Sequence, residues 1–494
     1  MFFTEEGRRK REKIVLTMER RYVFVILFYI IMSIFRVGGF GVNWGTQSTH
    51  PLPPTTIVKM LKHNGITKVK LFDADPIILD ALKKSAIEVM VGIPNSMLKT
   101  FATSPEVAED FVSKNISSQL SAGVDIRYIA VGNQPFLYLY KGAYESTTLP
   151  ALQNIQMALV KARLEERVRV TVPLNADVFK SSSDNPSDGE FNTKIHELMI
   201  DLVQFLYQNN GPFTVNIYPF KSVYRNPTFP MDYAFFDGFN DPSIDNGLIY
   251  DNLLDANIDT LVWALSKYGF GNMSIVVGEI GWPTDGDKSA TSQLAQRFHQ
   301  GLMTRLITGK GTPMRPGPMD VYLFSLIDED NKTIQPTSFE VGNFDRHWGL
   351  FRYDGQPKYQ LNTGSGANGL VGATEVKYQD KKWCILKPSA NPNSDKVARS
   401  VSKACQTGDC SSLGYGTSCG GLDVRGNISY AFNSFYQVND QIFGNCDFSG
   451  LSETTDRDPS TENCKFQIMI DSESNGKIRP FRIIMFVLLF FTLV

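Results

Sequence analysis

The chain has 494 residues, of which 20% are charged and 12% aromatic, an ordinary globular composition with enough length for one large domain and a smaller one. Its formal charge of −2 combines basic ends with an acidic stretch between them. An acidic surface repels nucleic acid and anionic lipid, so we expect no nucleic-acid partner.

The N-terminal residues 1–37 are predicted to be a secretory signal. Arg20 and Arg21 precede an apolar stretch over residues 22–35, and the small residue Gly38 follows. This order is typical of a signal peptide. A signal anchor is the alternative, but 14 apolar residues are short for a membrane span.

Between residues 38 and 360, short apolar runs alternate with helical patterns. The predicted strands are 40–43, 68–72, 88–92, 127–132, 169–173, 214–218, 274–278 and 321–324, and the clearest predicted helices are 55–64, 105–122, 149–166, 194–208, 252–268 and 289–308. This alternation predicts an α/β fold, a (β/α)₈ TIM barrel. A doubly wound open sheet is the alternative, but no Gly-x-Gly-x-x-Gly follows the first strand.

A linker and a cysteine-rich module are predicted after the barrel. Residues 361–381 begin with a run rich in Gly, Asn and Thr, which is typical of a linker. All six cysteines follow within residues 382–466, and an even cluster in a secreted chain predicts disulfides. Six cysteines allow 15 pairings, and spacing selects none of them.

No metal site and no cofactor are expected from the sequence. The cysteine-rich segment has neither a Cys-x-x-Cys pair nor a histidine, and the five histidines of the chain are scattered without ligand spacing. Structural zinc sites need closely spaced ligand pairs of that kind.

The C-terminal residues 467–494 are predicted to be a glycosylphosphatidylinositol (GPI) attachment signal. Small residues around Ser474 precede a polar spacer and an apolar tail over residues 483–494, which is the order of such a signal. We therefore expect a secreted monomer, anchored through a GPI lipid to the outer face of the plasma membrane and facing the apoplast and cell wall. Sequons at Asn115, Asn272, Asn331 and Asn427 are consistent with this route.

Two predicted strands end in polar side chains that could carry chemistry. Gln134 follows the fourth strand and Glu279 follows the seventh. Catalytic residues of TIM barrels lie at the carboxyl ends of strands. Retaining hydrolysis of a glycosidic bond requires two carboxyl groups there, about 5–5.5 Å apart, whereas these two positions offer one acid and one amide.

Several sequence runs carry a resemblance to a known family. They are residues 41–45 (GVNWG), 69–75 (VKLFDAD), 91–95 (VGIPN), 215–220 (VNIYPF), 278–284 (GEIGWPT) and 346–351 (RHWGLF), with 413–419 (LGYGTSC) and 428–433 (ISYAFN) in the cysteine-rich part. In order and spacing, the chain resembles a plant glucan endo-1,3-β-glucosidase of glycoside hydrolase family 17 joined to a family 43 carbohydrate-binding module.

The resemblance implies roles for the two strand-end residues. Glu279 would be the nucleophile, whereas Gln134 occupies the position at which the family has its acid/base glutamate. An amide neither donates a proton to a leaving oxygen nor accepts one from water. The resemblance thus implies retaining endo-hydrolysis of β-1,3-glucan such as callose, with turnover impaired at Gln134. The alternative is a catalytically impaired glucan-binding protein, and a transglycosylase would need the same missing proton carrier.

Further residues are expected to bind substrate. The resemblance favours contact of Asn133 with a sugar hydroxyl; simple turn formation is the alternative. Tyr218, Phe220 and Trp282 follow the sixth and seventh strands, where aromatic rings can stack on glucose; core packing is the alternative for each.

Two charged residues and the cysteine pairing complete the expectations. Glu329 and Lys332 follow the eighth strand and match positions that support the site in the family; a solvated loop is the alternative.

For the module, the resemblance implies the disulfides Cys384–Cys446, Cys405–Cys410 and Cys419–Cys464, and binding of β-1,3-glucan. Tyr430, Phe432, Phe435 and Tyr436 either stack on glucan or form a small core.

Overall fold

A computed structural model of the chain describes residues 40–238, 241–334, 341–364 and 369–471. The predicted signal and the predicted attachment tail with Ser474 lie outside these residues. None of the helices in the described ranges is long and apolar enough to cross a bilayer.

The elements are numbered here in chain order. The strands are β1 (Gly41–Trp44), β2 (Lys68–Leu71), β3 (Glu88–Ile93), β4 (Asp125–Val131), β5 (Arg169–Thr171), β6 (Pro173–Asn175), β7 (Phe179–Lys180), β8 (Glu190–Phe191), β9 (Phe213–Asn216), β10 (Ser243–Asp245), β11 (Leu248–Tyr250), β12 (Ile275–Ile280), β13 (Asp320–Leu323), β14 (Trp383–Leu386) and β15 (Ser452–Thr455). The helices are α1 (Pro54–His63), α2 (Pro76–Ala81), α3 (Leu98–Thr103), α4 (Pro105–Phe111), α5 (Ser118–Ser121), α6 (Glu145–Lys161), α7 (His196–Gln208), α8 (Pro219–Arg225), α9 (Leu253–Lys267), α10 (Ser292–Thr308), α11 (Asp395–Thr407) and α12 (Val424–Val438).

The main sheet is a parallel barrel, which confirms the predicted (β/α)₈ fold. Its strand order is β5-β4-β3-β2-β1-β13-β12-β9-β6. The two ends of this order, β5 and β6, are consecutive stretches of chain separated by Val172 alone. Since β5 pairs with β4 and β6 pairs with β9, the two halves of one bent strand close the barrel.

The local sequence explains why these segments take their structures. The strands β1 and β9 are buried along their whole length, as expected for parallel strands covered on both faces. Two of the long helices begin at side chains that satisfy free amides: the Asn252 side chain accepts from Asp255 N at 3.0 Å, and the Thr291 side chain accepts from Leu294 N at 3.2 Å. Capping of this kind typically contributes about 1 kcal/mol.

The cysteine-rich module is built from the antiparallel pair β14–β15 and the helices α11 and α12. Its disulfides are Cys384–Cys446, Cys405–Cys410 and Cys419–Cys464, the pairing that the resemblance implied. A domain of this size holds too small a core to fold without such crosslinks.

The module's candidate aromatic residues belong mostly to its core. Tyr430, Phe432 and Tyr436 are buried, and Phe432 stacks on Phe448 with 3.9 Å between ring centroids. Phe435 is partly buried against the same cluster. The three buried rings have no free face for a sugar, so the core interpretation holds for them.

The predicted linker is attached to the barrel where it is described. Asn64 donates to Val371 O at 2.9 Å and accepts from Val371 N at 2.7 Å. Beyond the module, Met469 and Ile470 are buried in the main core of the barrel, and Tyr353 donates to Ile468 O at 2.7 Å. The module therefore rests against the barrel.

Candidate functional site

An open polar cleft lies at the carboxyl end of the barrel. Its cavity has a volume of about 290 Å³ and contains both strand-end residues, Gln134 and Glu279. The other lining residues are Thr46, Gln47, Phe72, Asn133, Leu137, Leu139, Tyr140, Tyr218, Lys221, Phe324, Glu329, Lys332, Val341, Asp345 and Trp348. The structure thus brings together the polar residues that the sequence singled out, although they are far apart in the chain.

Glu279 is the buried acid at the floor of the cleft. Its side chain is 2% exposed and sits near the end of β12. Lys70 Nζ donates to Oε1 at 2.6 Å, the Tyr218 hydroxyl donates to Oε2, and Gln134 Nε2 approaches Oε2 at 3.4 Å. A buried carboxylate with a cation and a strong donor on its two oxygens is held in one orientation.

The electrostatics keep Glu279 ionised. Burial alone would raise the pKa of Glu279, but the Lys70 ammonium, the Tyr218 hydroxyl and the more distant Lys332 together hold that pKa below its ordinary value. Burial raises the pKa of Tyr218 well above its ordinary value, and the neighbouring Glu279 adds to this. Tyr218 therefore stays protonated and donates to an anionic carboxylate.

Lys70 organises the floor of the cleft. It is 1% exposed and donates to Asn43 Oδ1 at 3.0 Å and to Asn133 Oδ1 at 3.2 Å as well as to Glu279. Burial lowers the pKa of Lys70, and the carboxylate of Glu279 opposes that effect. With three oxygen acceptors around the ammonium, the pair remains charged and satisfied, as buried charges require.

The backbone after β4 is folded to aim two side chains into the cleft. Gly132 and Gln134 have φ angles of 79° and 50°, in the left-handed region that is rare for residues with a side chain. Asn95 donates to Asn133 O at 2.9 Å and accepts from Asn133 N at 2.8 Å, and Gln134 N donates to Pro173 O at 2.7 Å. These bonds hold a strained turn in place.

Gln134 is close enough to Glu279 for its amide to donate to the carboxylate. Gln134 Nε2 and Glu279 Oε2 are 3.4 Å apart. An amide N–H can donate to the carboxylate at this distance, while a second carboxylate would repel it. Gln134 is therefore a donor to Glu279 and has no proton of suitable acidity to give to a leaving group.

The charged residues after the eighth strand belong to the cleft. Glu329 is 5% exposed, accepts from Gln47 N at 2.9 Å and lies 3.6 Å from Lys332 Nζ. The neighbouring carboxylates are also engaged: Asp328 with Lys358 at 2.6 Å and Asp330 with Thr49 N at 2.8 Å. The segment is an ordered wall, and the alternative of a solvated charged loop is wrong.

The three aromatic residues expected to contact substrate have different positions. Tyr218 lines the cleft, with its ring edge-on to Trp348 at 5.2 Å. Phe220 and Trp282 are each 0% exposed, 5.3 Å apart in an aromatic cluster, and Trp282 Nε1 donates to Ser289 O at 2.9 Å. Their rings have no exposed face, so the prediction that Phe220 and Trp282 bind substrate is corrected.

Four polar residues of the site were not predicted from the sequence as such. They are Asn43 and Lys70 on β1 and β2, Asn95 after β3, and Asn216 at the end of β9, whose amide approaches Asn133 Oδ1 at 3.4 Å. A signal was present for Lys70, because a lysine within a strand that is apolar on both sides needs a buried partner.

A closed parallel barrel that presents a buried, ionised glutamate to an open polar cleft has the architecture of a barrel glycoside hydrolase. Residues 40–363 match Glycosyl hydrolases family 17, and residues 382–453 match the X8 domain. The chain therefore belongs to glycosyl hydrolase family 17 and carries a C-terminal X8 domain.

The chain is similar to plant proteins over most of their length. Glucan endo-1,3-beta-glucosidase 5 of Arabidopsis thaliana is 58% identical over 451 residues, 91% of this chain and 92% of that protein. Glucan endo-1,3-beta-glucosidase 8 of the same plant is 51% identical, over 89% and 90% of the two chains. Among solved structures, a β-1,3-glucanase and allergen of Cryptomeria japonica pollen is 34% identical with a TM-score of 0.62, over 65% of this chain and 98% of its own.

Proposed function

We propose that the cleft accommodates β-1,3-glucan and that Glu279 is the nucleophile of a retaining endo-glucanase. The observation that carries this proposal is the engagement of Glu279 by Lys70 at 2.6 Å and by the Tyr218 hydroxyl. Membership of family 17 and the plant glucan endo-1,3-β-glucosidases among the relatives support the substrate class.

The first chemical step begins with the nucleophile. An oxygen of Glu279 attacks the anomeric carbon, the bond from that carbon to the glycosidic oxygen breaks, and a covalent glycosyl-enzyme forms. The electron pair leaves on the departing oxygen, which in a sugar leaving group must gain a proton. Asn133, Glu329 and Lys332 line the same cleft and would bind sugar hydroxyls around the reacting unit.

Gln134 limits both proton transfers. In the first step the leaving oxygen must take its proton from solvent water, because no side-chain acid supplies one. In the second step the attacking water must lose its proton to solvent, because no side-chain base removes it. General acid–base assistance is worth about 10²–10⁴-fold, so we expect slow turnover of polymeric glucan. A slow enzyme that retains its cleft is also a glucan-binding protein, and binding without turnover is the second candidate function, favoured by Gln134 itself.

We infer the cellular setting from the composition of the two terminal segments and from the module. The predicted signal and attachment segments support secretion and a GPI anchor at the outer face of the plasma membrane. The X8 domain supports a second contact with β-1,3-glucan in the cell wall.

Restoring the acid tests the proposal. We expect Gln134→Glu to raise the rate of laminarin hydrolysis by at least about tenfold over the unaltered chain, since the general acid returns. Reducing-sugar release and the anomer first formed measure rate and retention. Glu279→Gln in the same background is the control and removes the gain.

Three outcomes separate the candidates. A gain in Gln134→Glu that Glu279→Gln abolishes supports the enzyme. Laminarin affinity without turnover in either the unaltered chain or Gln134→Glu favours the binding protein. Absence of both turnover and affinity contradicts the substrate class.

A further inference from the structure

The cysteine-rich module contacts the barrel at a part-buried ion pair. Arg346 Nη1 lies 2.9 Å from Asp409 Oδ1, with side chains 16% and 17% exposed. Beside it, His347 Nε2 lies 2.7 Å from Ser411 Oγ. Asp409 and Ser411 flank Cys410 of the Cys405–Cys410 disulfide, which closes the small loop that touches the barrel.

Arg346 is at the same time part of the cleft's wall. Its Nε donates to Lys332 O at 3.0 Å, and its carbonyl accepts from Glu329 N at 3.2 Å. Glu329 and Lys332 both present their side chains to the cavity. The guanidinium therefore joins a module carboxylate on one side to the backbone of the segment 329–332 on the other.

A second contact reaches residues 46–50, a segment without regular secondary structure on the other side of the same wall. The module's Asp440 lies 3.1 Å from His50 Nε2, and His50 Nδ1 lies 3.0 Å from Thr49 Oγ1. Thr49 N in turn donates to Asp330 Oδ1 at 2.8 Å. The segment 46–50 lies after β1 and supplies Gln47, which donates to Glu329.

Both contacts converge on the segment 329–332 that carries Glu329 and Lys332. One runs from Asp409 through Arg346 to the backbone of Glu329 and Lys332, and the other from Asp440 through His50 and Thr49 to the adjoining Asp330. We propose that the cysteine-rich module positions this wall of the cleft, with Asp409 as the principal positioning residue for Glu329 and Lys332.

The physical argument rests on where the charges are. An exposed ion pair contributes little, because water screens it and both side chains lose freedom. Here Arg346 is mostly buried and has a carbonyl and a carboxylate as its partners. Without the carboxylate, the guanidinium gains from turning toward solvent and releases Lys332 O. The segment 329–332 then loses the hydrogen bond from Arg346 that holds its backbone in place.

Hydrogen exchange of the full chain tests the contact without any ligand. In Asp409→Asn we expect amides of residues 328–333 to exchange at least about tenfold faster, because the local opening free energy falls. Asp440→Asn should speed exchange over residues 46–50. Glu453→Gln, an exposed module residue on β15, is the matched control and should leave both segments unchanged. Equal exchange in Asp409→Asn and in the control overturns the proposal.

A thermodynamic cycle tests the effect on the cleft, and this arm rests on the proposed function. Laminaritriose affinity is measured from the protection of the peptide around Asn133 and Gln134, which reports on the cleft and not on the module. We expect Asp409→Asn to weaken this affinity about threefold to tenfold, and to weaken it less than about twofold in a Lys332→Met background. An equal loss in both backgrounds means that Asp409 does not act through Lys332, and overturns the proposal.

The two arms fail separately. If laminaritriose gives no protection in the unaltered chain, the proposed function fails, while the exchange of residues 328–333 still decides the positioning role. If Asp409→Asn unfolds the module, Arg346→Lys replaces it, because this variant keeps the charge but loses the second donor. We then expect the same faster exchange at residues 328–333, and unchanged exchange overturns the proposal.

Discussion

Gln134 Nε2 lies 3.4 Å from Oε2 of Glu279, so the amide at the end of the fourth barrel strand is a hydrogen-bond donor to the buried acid. The contact adds a third donor to Glu279, after Lys70 and the Tyr218 hydroxyl. The arrangement leaves Glu279 charged within a hydrogen-bonded network, beside an amide that has no titratable proton.

The pH dependence of Gln134→Glu should reveal the new carboxyl group. Its neighbour Glu279 is anionic, and a like charge raises the pKa of the new acid. Laminarin hydrolysis should fall at high pH as the acid loses its proton, and at low pH as Glu279, with its lowered pKa, gains one. In the unaltered chain we expect only the acidic limb, as measured by kcat/KM against pH. An alkaline limb in the unaltered chain would mean that another group supplies the proton.

An activated substrate should bypass Gln134. The phenolate of a 2,4-dinitrophenyl β-laminaribioside leaves without protonation, so glycosylation by Glu279 should be fast and the covalent intermediate should accumulate. We expect a burst of phenolate followed by slow release, measured by stopped-flow absorbance and intact mass. Azide should speed the second phase by attacking the intermediate without base catalysis. The absence of both burst and intermediate would be incompatible with an intact nucleophile.

Lys70→Met should expose the energetic role of the buried pair. Leaving Glu279 buried without its cation costs about 3–5 kcal/mol, measured as the loss in unfolding free energy at pH 7. In the unaltered chain the lowered pKa of Glu279 contributes stability above its unfolded pKa, and this is lost as pH falls through the folded value. In Lys70→Met the pKa of Glu279 rises, so stability should decrease with rising pH. Adding Glu279→Gln should recover most of the loss.

Phe220 and Tyr218 should behave in opposite ways. Phe220 is fully buried, so Phe220→Ala should cost about 3–5 kcal/mol of stability with little change in glucan affinity. Tyr218→Phe removes one hydrogen bond to a charged group, worth about 1.5–3 kcal/mol, and should slow glycosylation by the activated substrate. Denaturant titration and stopped-flow rates measure the two effects. A large affinity loss in Phe220→Ala with unchanged stability would contradict its place in the core.

The disulfides of the module should differ in how much they contribute to the free energy of unfolding. Cys384–Cys446 spans 62 residues and Cys405–Cys410 spans 5. The chain-entropy argument gives about 4 kcal/mol for the longer loop and about 2 kcal/mol for the shorter one. Paired Cys→Ala variants, compared by thermal unfolding of the full chain, should follow this order. The reverse order would show that the short loop stabilises through its contact with the barrel.

The sequence alone determined the class of fold and the chemistry of its key positions. Alternating apolar runs and helical patterns define a barrel because each strand must be buried and each helix must cover it. The identity of residue 279 as an acid and residue 134 as an amide is likewise fixed by the chain itself, whatever surrounds them. An isolated cluster of six cysteines predicts a crosslinked module, because an even number of cysteines in a short secreted segment is typical of disulfides.

The tertiary structure decided which side chains meet. Lys70 and Glu279 are neighbours only because the barrel closes, and Phe220 and Trp282 belong to the core because the segments after β9 and β12 fold inward over the sheet. Local sequence patterns predict where a strand lies, but they do not tell whether an aromatic side chain after it faces the cleft or the core. The contact of Asp409 with Arg346 is of the same kind: two domains separated by a linker meet through burial and charge, which no local signal in either segment encodes.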